Sequence, residues 1–155
     1  MHNRVGRTEL RDLRILFIKR RRKITLLVPN ASEAIILENF LNITAPEDLR
    51  LKLYSSDTTP SETDTELTYT ETSGGGYADV ALVAGSWVVT PGNPSNAAYP
   101  EVTFSFTGAA GNVYGYYGVQ ETSGALMWAE RFTNAPLNIQ NNGDEIRITL
   151  QITLE

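Results

Sequence analysis

At 155 residues, 41% apolar and 20% charged, the chain is long enough for one domain with a real core and too short for two ordinary ones. It has no cysteine, which excludes disulfides and thiolate metal sites, and its one histidine, His2, stands at the terminus, where a fixed catalytic base or metal ligand is not expected. The net charge of -5 is unevenly spread: nine of the 13 basic residues lie in the first 23, which sum to +7 with Glu9 and Asp12, while the other 132 residues carry -12.

This asymmetry divides the chain into a basic N-terminal arm, residues 1–23, and a body, residues 24–155. In the arm, Arg4, Arg7, Lys19, Arg20, Arg21, Arg22 and Lys23 supply charge. Leu10, Leu13 and Phe17 fall on one helical stripe of LRDLRILFI, residues 10–18, a run also short enough for a strand. The arm does not read as a secretory signal, because its apolar run Ile15–Ile18 is short and the basic cluster follows it. No apolar run approaches the roughly 20 residues of a membrane span, so a soluble intracellular product without a membrane partner is expected. The cluster suits phosphates. With no interleaved aromatic beyond Phe17 and no nucleic-acid motif behind it, no specific nucleic-acid partner is expected. An arm docked on an acidic protein surface and an extension without a role both fit the residues. The steep charge split favours the docked arm, with Leu10, Leu13 and Phe17 adding apolar contact.

Along the body, Asn30 followed by Glu33 resembles a capping box and predicts a short helix over residues 31–42. Ile36, Leu37, Phe40 and Leu41 share a face of it, Ile35 does not, and Pro46 predicts its end in the Asn42–Pro46 region. Leu49, Leu51 and Leu53 alternate with Arg50, Lys52 and Tyr54 as in a half-buried strand. Residues 55–66 read as a loop, LTYTET, ADVAL and SWVVT as strands, and 91–100 as a loop because prolines interrupt a ladder. Val102, Phe104 and Phe106 predict another half-buried strand. NVYGYYGVQ and ALMWAERF flank the turn ETSG, a hairpin whose parity puts Val113, Tyr117, Val119, Leu126, Trp128 and Phe132 on one face. Tyr114, Tyr116, Met127 and Arg131 fall on the other. A last strand places Ile146, Ile148, Leu150, Ile152 and Leu154 inward. About seven to nine short strands separated by turn signals predict an all-β fold, a sandwich or jelly roll with one short helix near its start.

Chemistry is sparsely signalled, and neither a catalytic set nor a cofactor site is expected. Asp57, Glu62, Asp64 and Glu66 cluster in one loop; a calcium site is the sharper reading, a solvated acidic loop the favoured one. Nothing singles out a glycosidase-type carboxylate pair. Gly74–Gly76 lack the context of a phosphate loop and read as a bend. Ile35, Tyr114, Tyr116 and Met127 are left outside the expected core. They are candidates for an oligomer contact, and the tyrosines alternatively for stacking on a host glycan.

The segments LLVPNASEAIILENFLN, APEDLRLKLYSSDTTPSETDT, GGGYADVAL, SWVVT, PEVTFSFTG, NVYGYYGVQETSGALMWAERF and NNGDEIRITLQITL together resemble small jelly-roll virion proteins of tailed bacteriophages, above all head decoration (cement) proteins. The resemblance runs from about Leu26 to Leu154, and its motifs mark turns and strand faces. It implies a jelly-roll-like β-sandwich made in the host cytoplasm and carried on the outer capsid surface. It further implies a homo-oligomer, a trimer foremost, with the major capsid protein as partner; the arm lies outside the resemblance, and its charge of +7 against the acidic body makes it the expected anchor. A receptor-binding module and a small hydrolase are the rival readings.

Overall fold

The computed structural model describes residues 27–154. The arm, its boundary at residue 23, and Arg4, Arg7, Leu10, Leu13, Phe17 and Lys19–Lys23 lie outside the described residues. The body consists of one helix and a series of antiparallel strands, so the all-β expectation holds. The helix is α1 (Asn30–Phe40). The strands are β1 (Leu49–Tyr54), β2 (Val80–Leu82), β3 (Val88–Thr90), β4 (Ser95–Ala98), β5 (Val102–Thr107), β6 (Gly111–Val113), β7 (Gly115–Gln120), β8 (Leu126–Arg131), β9 (Leu137–Ile139), β10 (Asn142–Ile148) and β11 (Gln151–Leu154).

β2, β1, β7 and β8 form a four-stranded sheet in that order. The second half of the chain is one long hairpin. β7 pairs with β8, β6 with β9, β5 with β10 and β4 with β11, all antiparallel. The pairing runs from Gly115↔Arg131 through Val113↔Leu137 and Val102↔Ile148 to Ser95↔Leu154. Its turn is the expected one: Gln120 N and Gly124 N donate to Ala125 O and Gln120 O at 2.9 and 3.0 Å.

Alternation is realised where it was clearest. In β5, Val102, Phe104 and Phe106 are buried and Thr103, Ser105 and Thr107 exposed. Leu51 and Leu53 are fully buried, and Ile146, Ile148 and Leu150 nearly so, while the side chain of Leu154 lies outside the described residues. Three expectations fail for local reasons. Residues 91–100 include a strand, β4, because Pro94 and Pro100 stand at its two ends and remove no ladder donor from within it. LTYTET makes a 3-10 turn at Glu66–Thr68 and a single bridge, Glu71↔Tyr54, in place of a strand. The last strand is two: it breaks at residues 149–150, as the hairpin passes from the β5 pairing to the β4 pairing.

Two apolar clusters occupy opposite faces of the four-stranded sheet. Leu51, Leu53, Tyr116, Met127 and Trp128 pack with Phe104, Phe106, Ile146 and Ile148 of the β5–β10 ribbon. On the far side, Tyr54, Tyr117, Val119, Leu126 and Ala129 pack with Tyr69, which the segment 55–72 carries across the sheet. Phe104 stacks on Tyr77 with ring centroids 6.0 Å apart. Phe104→Ala leaves a cavity in the larger cluster and is expected to cost about 3–5 kcal/mol in chemical denaturation, with m unchanged.

Candidate functional site

Among the described residues, five of the nine exposed large apolar side chains lie on α1 or just after it, and the cause is the way the helix is set down. Pro29, the N-cap residue, and Ser32 are fully buried, and the Ser32 hydroxyl donates to the carbonyl of Leu126 in β8. Asn30 N donates to Glu62 O at 3.0 Å. Pro29, in place of Asn30, therefore marks the helix start, and no side-chain cap forms. These contacts fix the rotation of the helix about its axis. Ser32 and Ile35 turn inward, with Ile35 packed against the larger cluster. Ile36, Leu37, Phe40 and Leu41 turn outward with Ile43 behind them; Phe40 is 83% and Leu37 60% exposed.

The helix ends on chain chemistry other than Pro46. Asn42 adopts φ 57, its N–H reaches Asn39 O at 3.1 Å, and Ile43 N reaches Glu38 O at 2.9 Å. This is a Schellman end with asparagine in the left-handed position. Ile43 follows directly, so five large apolar side chains within residues 36–43 face solvent. Glu33 and Glu38 flank them. An apolar group of this kind marks an interaction surface.

Three of the four oligomer candidates move into the protein. Ile35 is half-buried in the core. Tyr116 and Met127 are buried at 7% and 9% exposure, both in the larger cluster. Two irregularities reverse the parity of the hairpin. The strand breaks between β6 and β7 at Tyr114, and a bulge makes Gly118 face Trp128 while Val119 faces Leu126, which leaves Met127 as the extra residue. One inserted residue turns every later side chain to the other face. Tyr116 thus joins Trp128, and its hydroxyl donates to Glu130, while Tyr117 stacks on Tyr69 at 5.2 Å on the far side. Tyr114 is half-buried beneath the Arg131 guanidinium, 5.0 Å from its ring centroid. The pair of outward tyrosines needed to stack a sugar does not exist. The cleft between Trp87, Trp128 and Glu130 has room for about one water molecule.

The acidic loop is occupied by internal partners. Asp57 pairs with Arg131 at 2.6 Å, Asp64 accepts from the Tyr69 hydroxyl at 2.7 Å, and Glu66 pairs with Lys52 at 2.9 Å. Among the described residues no three carboxylate or histidine groups converge to hold a metal ion. Arg50 binds Asp79 through two nitrogens, at 2.5 and 2.9 Å, and holds its carboxyl below the usual range. Gly74, Gly75 and Gly76 all have positive φ and turn the chain against Thr107, whose N–H reaches Gly75 O at 2.7 Å. They form the bend expected of them.

Set beside models of protein families, curated proteins and solved structures, the chain matches none.

Burial shapes the response to alkali. Desolvation pushes up the hydroxyls of Tyr54, Tyr69, Tyr77, Tyr116 and Tyr117, the last to about 12. Their protonated form is the one the fold accepts, so their contribution is complete below the ordinary value of 10.0 and is lost as pH rises toward 12 and beyond. Alkaline titration is expected to show these five ionising together with loss of tertiary circular dichroism. Ionisation near pH 10 with the fold intact would contradict their burial.

Proposed function

We propose that the protein is a virion assembly protein, a decoration or cement protein that sits on the outer head surface of a tailed bacteriophage and stabilises the shell. One observation carries this reading: the core is complete without the outward face of α1, which leaves Ile36, Leu37, Phe40, Leu41 and Ile43 in solvent. Burying such side chains contributes about 1.5–3 kcal/mol each, enough for an assembly contact and wasteful in a protein that acts alone. The resemblance of the strand and turn segments to jelly-roll virion proteins supports the same class. The all-antiparallel strand pairing, with a long hairpin lying over the four-stranded sheet, is compatible with such a sandwich.

In this reading the protein works by binding and not by catalysis. It is made in the host cytoplasm, associates with itself, foremost as a trimer, and binds the major capsid protein. Symmetry multiplies contacts that are individually modest, which suits a chain without cysteine cross-links. The arm, +7 where the body is -12, extends the protein to a partner.

The test replaces the outward face without touching the core. Leu37→Glu with Phe40→Glu alters two exposed positions, so unfolding free energy should change by no more than about 0.5 kcal/mol per site. The variant is expected to lose self-association in light scattering and to stop co-sedimenting with phage heads. Head binding and oligomer mass equal to wild type would overturn the reading.

A further inference from the structure

We propose that the outward face of α1 is covered by the basic arm of a neighbouring copy, so that the oligomer is held together by exchanged arms. The inference rests on the assembly reading above and names the partner of the arm.

The chemistry of the two parts matches. Leu10, Leu13 and Phe17, spaced as one helical stripe, offer an apolar edge to Ile36, Leu37, Phe40 and Leu41. Residues 30–48 contain Glu33, Glu38, Glu47 and Asp48 and not one lysine or arginine. Beside them, the run Lys19–Lys23 offers five positive charges in a row. A second copy's α1 is the poorer occupant, because two such faces laid together set Glu33 and Glu38 against like charges.

The direction in which the described chain enters α1 favours a neighbour's arm over its own. Leu27 bridges Ala129 in antiparallel sense, and five residues later Ser32 reaches Leu126. Toward its C-terminus, then, the chain runs from Ala129 back to Leu126 and into α1. Leu27, the first described residue, therefore stands on the Ala129 side of the point where α1 begins, and the chain enters the helix moving away from the β8 end that carries Glu130 and Arg131. The ten residues from Phe17 to Leu27 span up to about 35 Å, against about 16 Å for the length of α1, so the reach to an adjacent copy is ample. Each copy gives an arm and receives one. Where the exchange runs head to tail and its rotation closes, it makes a ring such as a trimer; where it is mutual between two copies, it makes a twofold dimer.

The absence of cysteine makes disulfide trapping clean, since the only thiols are those introduced. Two full-length double variants, Phe17→Cys with Phe40→Cys and Leu13→Cys with Leu37→Cys, are oxidised mildly and run without reductant. A bond forms only where the two Cα atoms come within about 7 Å, so the product reports the contact. Disulfide-linked oligomers as the main product of at least one pair, and absent from the single variants, are expected. A monomer closed on itself overturns the exchange, and no cross-link from either pair overturns the coverage. As an independent check, full-length Arg20→Glu, Arg21→Glu, Arg22→Glu should dissociate to monomer in light scattering; an unchanged oligomer would remove the charge argument. Head co-sedimentation is measured separately. Cross-linked oligomers that fail to bind heads would overturn the decoration reading and leave the exchanged arms standing.

Discussion

The structure depends on a central strand with no solvent face. Every residue of β7 is buried, so both sides of the four-stranded sheet have to be covered. The β5–β10 ribbon covers one and the segment 55–72 the other. The glycines of YGYYG are required by this double burial. A Cβ at Gly118 would run into the Trp128 ring, and one at Gly115 into the Glu130 carbonyl and the Tyr54 ring. The tyrosines between them are structural for the same reason: Tyr116 points to one layer and Tyr117 to the other.

Covering the second face with a polar segment has an electrostatic cost, which the charges on that face offset. Tyr69 is buried with its hydroxyl on Asp64, and at the sheet edge Glu71 accepts from the hydroxyl of Tyr77, which belongs to the other layer, at 3.1 Å. Lys52 sits between Glu66 and Glu71, and Arg131 fastens Asp57 and the Thr58 carbonyl. Acids that in the sequence look like a solvated cluster are the pins of a layer. Buried polar atoms need such partners, and here the loop brings most of its own.

Strand positions were legible because alternation is a local property: Val102, Phe104 and Phe106 obey it without reference to anything else. What alternation cannot carry is parity across a break. The strand break at Tyr114 and the bulge at Met127 each add a residue that no hydrophobic pattern marks, and both fall inside the hairpin that carries three of the four candidate surface residues. The helix shows the same limit. That Ile36, Leu37, Phe40 and Leu41 share a face is readable from spacing; that the face points outward is not. It follows from buried Pro29 and from the bond between Ser32 and a carbonyl 94 residues away. A serine at an inward helical position was the available signal.

The long hairpin bears on the order in which the molecule forms. Its turn at residues 121–124 joins partners a few positions apart, whereas Ser95 pairs with Leu154, the far end of the same ladder. Closing a short loop costs less chain entropy than closing a long one, so registry is cheapest at β7–β8 and each later pair is prepared by the one before. Chain entropy therefore favours zipping from the most buried strand outward. During synthesis the β7–β8 turn emerges from the ribosome with the hairpin's final segment still to come. β11, paired only with β4 at the open end of the ladder, has the longest loop to close.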